Sequence, residues 1–244
     1  NGEIYNYLDL RAQLENLGYR FKTNGDTEVL LKSYIQWKED CFKKIEGMFA
    51  FSICDEKRKK VFLVRDQYGQ KPLYYKYFNQ TLKFGSELQV FLNDPDSKLN
   101  INNLNKYLHF GFVKHNSLID NVNQLPPGHF LEFNYIKNTT QIYTYWKIPQ
   151  NIQKSQLDSF EILELLKNSL KKQIRSDVST GFLLSGGIDS SLLVALTSEV
   201  SQKKIYTFNV SSNEDASKIE NKNAMLVSNM YNTKHINLTI DKFD

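Results

Sequence analysis

The chain has 244 residues, 41% of them hydrophobic and 24% charged, with a formal net charge of +4. This composition is typical of a globular protein with one or two domains and excludes a largely disordered chain. Its basic residues are interspersed with acidic ones, apart from a short run at Lys57–Lys60, so we expect no nucleic-acid surface.

The sequence shows neither an apolar run of the roughly 20 residues that cross a membrane nor a signal peptide. Only Cys41 and Cys54 are cysteines, which is too few for a disulfide framework. We therefore expect a cytoplasmic protein that does not bind membranes.

The first part of the chain begins with two predicted helices. Leu10 and Leu14 have helical spacing within Tyr5–Leu17, and Gly18 is expected to end that helix. Asp26 is expected to cap a second helix that continues to Ile35.

After Gly47 the pattern changes to short strands, for which antiparallel pairing is the economical arrangement. A helix at Ile101–Phe110 and two more short strands follow, ending near Trp146. The four strands predicted before that helix are Met48–Cys54, Val61–Arg65, Leu73–Tyr77 and Leu82–Gly85.

A polar segment at 148–156 is the predicted boundary between a domain at 1–147 and a second domain at 157–244. In the second domain helices and strands alternate, which predicts a parallel sheet with crossover helices. The predicted elements are helix Ser159–Ile174, strand Gly181–Leu184, helix Ser190–Val200, strand Ile205–Val210, helix Ile219–Tyr231 and strand His235–Ile240.

The segment Ser185-Gly186-Gly187-Ile188-Asp189-Ser190-Ser191 lies between a predicted buried strand and a helix. Adjacent glycines permit close approach of the backbone to a ligand, and the free N–H groups of the following helix attract anions. The alternative is a tight turn with serine caps. The segment has neither the Gly-Lys-Ser/Thr of a Walker A loop nor the spacing of a dinucleotide-binding loop.

This segment resembles the pyrophosphate-binding loop of ATP pyrophosphatases, which cleave ATP between its α- and β-phosphates. The resemblance implies that magnesium arrives with ATP, and we expect no metal site built by the protein. It implies ATP binding by Leu184, Ser185, Gly186, Gly187, Asp189, Ser190, Ser191 and Val210. Val210 ends a predicted parallel strand, where open α/β sheets bind ligands.

Motifs along the first part resemble the glutaminase domain of glutamine-hydrolysing asparagine synthetases. They are Asn1–Tyr7, Gly25–Val29, Gly47–Phe51, Arg65–Tyr74, Ser86-Glu87, Leu125–His129 and Tyr145-Trp146. The implied fold is an α+β N-terminal nucleophile (Ntn) hydrolase-type glutaminase domain, followed by the start of an α/β Rossmann-like ATP-pyrophosphatase domain.

In that family a cysteine releases ammonia from glutamine, and the ammonia displaces AMP from an aspartyl-adenylate. By resemblance, Asn1 and Gly2 form the glutaminase oxyanion hole, while Glu3 and Asp26 bind the amino-acid end of glutamine. For Asp26 a helix cap alone is the alternative. The implied small-molecule partners are glutamine, aspartate and ATP, and the resemblance leaves room for a homodimer.

The family's nucleophilic cysteine should lie upstream of Asn1, and part of its synthetase domain should lie beyond Asp244. We therefore expect a fragment that lacks both termini and is inactive alone. Other hypotheses remain open at this point. These are an amidotransferase with another carboxylate acceptor, a β-lactam synthetase-like enzyme without glutaminase activity, and a regulatory or storage domain.

Several residues have less specific interpretations. Arg65 and Asp66 either shape the interior near the sites or form an ordinary buried ion pair. Cys41 and Cys54 are both predicted to be core thiols. The four histidines, His109, His115, His129 and His235, have no metal-ligand spacing.

Overall fold

The computed structural model describes residues 1–114, 116–150, 158–175, 179–212 and 215–240. Tertiary contacts divide the chain into two units, Asn1–Ile152 and Gln153–Asp244. The predicted boundary segment falls largely on 151–157, outside the described residues, so the predicted domain limits remain a prediction.

The first unit begins with a short strand and two helices and continues mainly as strands. Its elements are β1 (Gly2–Ile4), α1 (Tyr7–Asn16), α2 (Asp26–Trp37), a 3₁₀ helix (Lys38–Lys43), β2 (Gly47–Asp55), β3 (Lys60–Arg65), β4 (Tyr74–Phe78), β5 (Thr81–Gly85), α3 (Gln89–Leu92), α4 (Ile101–Phe110), β6 (Asn123–Gln124), β7 (His129–Asn134) and β8 (Thr139–Thr144).

These strands form two sheets, with orders β1-β2-β3-β7-β8 and β5-β4-β6. Every pairing in them is antiparallel, which confirms the predicted arrangement. Strand β1 lies at the edge of the larger sheet, so one of its two backbone edges is not paired with a neighbouring strand. That edge becomes important for the first candidate site.

The main core of this unit lies between α1, α2 and one face of the larger sheet. Leu14 and Val29 are fully buried there with Phe42 and Phe62. Phe42 also packs edge-on against Phe130, with ring centroids 5.1 Å apart. This packing holds β1 and the start of α2 in place against the sheet.

Four local sequence predictions have different outcomes. Gly18 follows the end of α1 with a φ of +91°, as expected for a glycine that ends a helix. Asp26 is not the N-cap of α2, because Gly25 occupies that position and the helix begins at Asp26 itself. Cys41 is buried as predicted, but the prediction for Cys54 is wrong because its side chain is exposed.

The second unit is built around a parallel sheet, as its alternating pattern predicts. Its elements are α5 (Ser159–Gln173), β9 (Gly181–Leu183), α6 (Ile188–Val200), β10 (Tyr206–Ser212), α7 (Asp215–Met230) and β11 (Lys234–Ile240). Strand β10 lies in the middle and pairs in parallel with both β9 and β11. It extends two residues beyond Val210, so the prediction that Val210 ends this strand is wrong.

Within the described part of the chain, no helix combines the length and apolar character that crossing a membrane requires.

Candidate active sites

Asn1 fixes the hydrogen-bonding pattern of the edge strand β1. It exchanges two backbone hydrogen bonds with Ala50. The Ala50 N–H donates to the Asn1 carbonyl at 2.8 Å, and the Asn1 nitrogen donates to the Ala50 carbonyl at 3.1 Å. In an antiparallel ladder such a pair is followed by one without hydrogen bonds. The next pair is Gly2 with Phe49. The N–H of Gly2 therefore points away from β2, toward the open edge of the sheet, and no described residue accepts it.

Gly2 occupies a position that only glycine fits. Its φ is +119°, and a Cβ atom there would lie 2.0 Å from the carbonyl oxygen of Met48. This close approach holds the Gly2 backbone flat against β2. The sequence motif identifies Gly2 by resemblance, and the structure supplies the steric reason for glycine.

Asp26 lies at the same open edge as the Gly2 N–H. Its Oδ2 accepts a hydrogen bond from the backbone N–H of Ile4 at 3.0 Å. Ile4 is two residues beyond Gly2, so its N–H points to the same side of β1, about 7 Å along the strand. The structure therefore brings Gly2, the exposed Glu3 and the half-buried Asp26 to one edge of the sheet.

The Asn1 side chain has a contact that its motif alone does not reveal. Its Nδ2 donates to the hydroxyl of Ser86 at 3.3 Å, across 85 residues of sequence. Ser86 belongs to one of the family-like motifs, but only the folded chain shows that it touches Asn1. A serine hydroxyl at this distance orients the amide without burying it.

Arg65 and Asp66 do not form the ion pair that was one of their two interpretations. Within the described residues no Arg65–Asp66 salt bridge exists. The Arg65 guanidinium donates instead to three backbone carbonyls, those of Lys71, Leu125 and Gly69, at 2.7 to 2.8 Å. The structure therefore favours the other interpretation, that the two residues shape the interior.

The Asp66 carboxylate is fully buried and accepts four backbone N–H groups. Oδ1 accepts from Tyr68 and Gln70 at 3.0 and 2.9 Å. Oδ2 accepts from Phe49 and Lys71 at 3.3 and 2.9 Å. Asp66 thus ties the loop after β3 to the residue of β2 that pairs with Gly2.

We expect Asp66→Asn to destabilise the first unit by about 1 to 3 kcal/mol, since two of the four backbone N–H groups that this buried carboxylate accepts lose their acceptor whichever way the amide turns. Chemical denaturation followed by circular dichroism measures the loss. The control is Asp40→Asn, an exposed surface carboxylate paired with Lys43, which should change stability by less than about 0.5 kcal/mol. Equal stabilities for the two variants would contradict this role for Asp66.

The second candidate site is the turn between β9 and α6. Leu184 is buried against Val194 and Ala224, and its N–H donates to the Phe208 carbonyl at 2.7 Å. Continuing the register of β9 with β10 places Ser185 level with Val210, which is 54% exposed. The turn therefore leaves the buried sheet and reaches the surface beside Val210.

Serine hydroxyls hold the turn in shape. The Ser185 and Ser190 hydroxyls lie 3.1 Å apart, and that of Ser185 also accepts the N–H of Gly187 at 3.3 Å. The Ser190 hydroxyl is 3.2 Å from the Gly187 carbonyl. The serine hydroxyls thus brace the tight turn but do not cap the helix, whose N-cap Gly187 has no side-chain cap hydrogen bond. These contacts leave Asp189 exposed at the first turn of the helix.

The two glycines of the turn do different things. Gly186 has a φ of +78°, and a Cβ there would lie 2.6 Å from Asn223 Cβ and 2.7 Å from the Ala224 nitrogen. Gly187 is the N-cap of α6 with a φ of −73°, and the nearest atom to its added Cβ is Ser185 Oγ at 3.4 Å. Gly186 therefore packs the turn onto α7, while Gly187 faces open space.

The residues of this turn fit an anionic group. Helix α6 has 13 residues and starts at Ile188, two residues earlier than predicted, so its unpaired N–H groups lie within the motif. The hydroxyl of Ser191 is buried and has no hydrogen-bond partner among the described residues. A buried hydroxyl without a partner at a helix N-terminus is consistent with a polar ligand completing its hydrogen bonding.

Within the described residues, no group of three or more His, Cys, Asp or Glu side chains could hold a metal ion. His129 instead contacts Thr144 and the Pro127 carbonyl, and His235 contacts Thr207. Burial lowers the pKa of His235. His115 lies outside the described residues.

Two family models match the chain, one for most of the first unit and one for most of the second. A family model described as a glutamine amidotransferase domain matches residues 1–146, which include Asn1, Gly2, Glu3 and Asp26. A second model, described as asparagine synthase, matches residues 161–244, which include the turn between β9 and α6.

Curated relatives carry both regions in the same order. The chain is 33% identical over 228 residues to glutamine-hydrolyzing asparagine synthetase 3 of Bacillus subtilis (strain 168), covering 88% of this chain and 36% of that protein. It is 37% identical over 214 residues to asparagine synthetase 1 of the same organism, covering 86% and 34%. For asparagine synthetase 2 the identity is 34% over 237 residues, covering 88% and 31%. The chain thus spans about a third of the length of these relatives.

Proposed function

The chain belongs to the glutamine amidotransferase family, with an asparagine synthase segment in the same polypeptide, and we propose that it is part of a glutamine-hydrolysing asparagine synthetase. The observation that carries this proposal is the presence of two chemically distinct sites on one chain. One is an edge strand with an open N–H at Gly2, and the other is a glycine turn at the N-terminus of α6. The names of the three relatives support the same assignment.

The first site would stabilise the oxyanion that forms when a cysteine attacks the side-chain amide of glutamine. We assign the N–H of Gly2 and the Asn1 amide as the two donors. Loss of one such donor typically costs about 100- to 1000-fold in rate. The nucleophile in this proposal is a cysteine that precedes Asn1 in the full-length protein.

The carboxylates of Glu3 and Asp26 would bind the α-ammonium end of glutamine. Both are supported by their place at the open edge of β1, where the Asp26 carboxylate is already held by the Ile4 N–H. Its other oxygen, Oδ1, accepts only the Thr27 hydroxyl at 3.3 Å, and a carboxylate oxygen with one hydrogen bond keeps a lone pair for a ligand cation. The same edge would thus position glutamine and stabilise its oxyanion.

The second site would bind ATP, with Ser185, Gly186, Gly187, Asp189, Ser190 and Ser191 around its phosphates and Leu184 and Val210 beside the nucleoside. The aspartate side-chain carboxylate attacks the α-phosphorus, and pyrophosphate leaves. Ammonia then attacks the acyl carbon of the aspartyl-adenylate, and AMP leaves with the oxygen that came from aspartate. Magnesium arriving with ATP would neutralise phosphate charge.

The proposal also assigns each of the two units to a structural class. We assign the first unit to the Ntn-hydrolase type, supported by its antiparallel sheets and by β1 at the edge. We assign the second to the Rossmann-like ATP-pyrophosphatases, supported by the parallel order β11-β10-β9 with a ligand turn after β9. We also propose that the enzyme is cytoplasmic, acts on small molecules, and is a monomer or a homodimer.

We expect Asp189→Ala in the full-length protein to reduce asparagine synthesis by about 100-fold or more, with glutamine hydrolysis nearly unchanged. The reason is that Asp189 is an exposed carboxylate in the first turn of α6, where it would contact the magnesium that arrives with the phosphates of ATP. Parallel assays of asparagine and of glutamate measure the two activities separately.

The matched control is Asp9→Ala, which removes an acidic residue from the first turn of α1 instead. It should leave ATP-dependent synthesis intact. Equal loss of both activities in Asp189→Ala would contradict the assignment of ATP chemistry to this turn.

A further inference from the structure

The first unit contains a cavity of about 740 Å³ that the proposed reaction does not use. Its volume lies in the range of small-molecule sites. The residues that line it include four aromatic side chains and two cations, which are Arg65, Tyr68, Tyr74, Tyr107, Phe112 and Lys114.

The buried cation of this cavity, Arg65, lacks a carboxylate partner. Only 6% of Arg65 is exposed, and its three bonded N–H groups all donate to neutral carbonyls. Among the described residues nothing accepts the second N–H of each terminal nitrogen. Two such N–H groups match the two oxygens of a carboxylate. Burial lowers the pKa of Arg65, and Asp66 offsets this only in part.

The remaining lining reinforces the positive charge. Lys114 adds a second, exposed cation, and no Asp or Glu is present among the described lining residues. A cavity with this balance favours an anion over a neutral or cationic group.

The aromatic residues of the cavity favour an anion that carries a planar, apolar ring. Tyr68, Tyr107 and Phe112 are 70%, 45% and 63% exposed, which is high for aromatic side chains that line a cavity. Tyr68 is held edge-on against Trp146, with ring centroids 5.2 Å apart, so its exposure does not reflect an unsupported side chain. Exposed aromatic faces such as these pack favourably against the ring of a ligand.

Another cavity on the same unit provides the contrast. It holds about 560 Å³ and is lined by Lys76, Lys83, Asp94 and Asp96. There each cation already has a carboxylate: Lys76 contacts Asp96 at 2.6 Å, and Lys83 contacts Asp94 at 2.5 Å. Because each lysine there is already paired with a carboxylate, an anionic ligand would find no unpaired cation in this cavity.

We propose that the cavity at Arg65 binds a small organic anion, a carboxylate carried on a planar ring system. None of the residues that line it is among those assigned to the open edge of β1 or to the turn before α6. Binding would be independent of whether the full-length protein makes asparagine.

The test uses 2-naphthoate and its neutral isostere 2-naphthamide, titrated into the full-length protein and followed by ligand-observed NMR. We expect naphthoate to bind at least about 10-fold tighter, as charged hydrogen bonds to a buried guanidinium imply. Equal affinities would overturn the proposal, and so would no binding of naphthoate.

Two exposed phenylalanines give a matched pair of variants. Phe112 is 63% exposed and lines the cavity, whereas Phe110 is 66% exposed and is not among its lining residues. Phe112→Ala should weaken naphthoate binding about 5-fold or more, and Phe110→Ala should not change it. Lys114→Gln should reduce the difference in affinity between naphthoate and naphthamide, because it removes a positive charge from the cavity. Identical effects of Phe112→Ala and Phe110→Ala would place the ligand outside this cavity.

Discussion

Replacing Gly186 by alanine is expected to reduce AMP formation in the full-length protein by more than about 100-fold while sparing glutamine hydrolysis. The new Cβ would lie 2.6 Å from Asn223 Cβ and 2.7 Å from the backbone nitrogen of Ala224, and φ is +78°. Backbone on α7 cannot yield as a side-chain end does, so the turn must leave its place, at a cost of about 2 kcal/mol or more. Hydrogen-exchange protection of α7 should fall at the same time.

Gly187→Ala separates folding from ligand binding at the same turn. Its φ is −73° and its nearest new contact is 3.4 Å away, so stability should change by less than about 1 kcal/mol. If phosphates approach the turn here, the added methyl group should raise the KM for ATP. A normally folded Gly186→Ala, or a Gly187→Ala with an unchanged KM for ATP, would contradict this division of roles.

Gly2→Ala is the second substitution with a large expected effect, on glutamine hydrolysis. The Cβ would lie 2.0 Å from the Met48 carbonyl oxygen, an overlap that β1 can relieve only by moving away from β2. The open N–H of Gly2 then leaves its position, and we expect glutaminase activity to fall about 100-fold or more. Glutamate release from the full-length protein measures this.

Gly18→Ala is the matched control, since Gly18 has a φ of +91° with no atom within 4 Å of an added Cβ. It isolates the cost of left-handed backbone, about 1 kcal/mol, and should leave glutaminase activity unchanged. Similar losses of activity in the two variants would mean that backbone strain, not overlap with β2, explains the need for glycine at position 2.

Periodicity predicted the elements well where one face of an element is buried. Leu10 and Leu14 identify α1, because residues four apart lie on one face of a helix and both are buried in the core. The alternation in the second unit likewise predicted the parallel sheet. Element ends were less certain: Val210 lies inside β10, because pairing with β11 continues to Ser212.

Long-range partners explain the predictions that were wrong or incomplete. Asp26 looks like a helix cap because its neighbours in sequence suggest one, but its carboxylate accepts the N–H of Ile4, 22 residues away. Arg65 and Asp66 are adjacent opposite charges, yet each hydrogen-bonds to backbone groups that only the folded loops bring near, and not to the other. Cys54 lies in a strand whose two faces differ in burial, and one residue of register decides which face it occupies.

The most direct test of the proposed function is the fate of oxygen in the full-length protein supplied with glutamine, ATP and aspartate labelled with ¹⁸O in its side-chain carboxylate. We predict that asparagine, AMP and pyrophosphate form in equal amounts and that each AMP carries one ¹⁸O atom from aspartate, as read by mass spectrometry. Formation of ADP, or of AMP without the label, would contradict an AMP-forming activation of aspartate at the turn between β9 and α6.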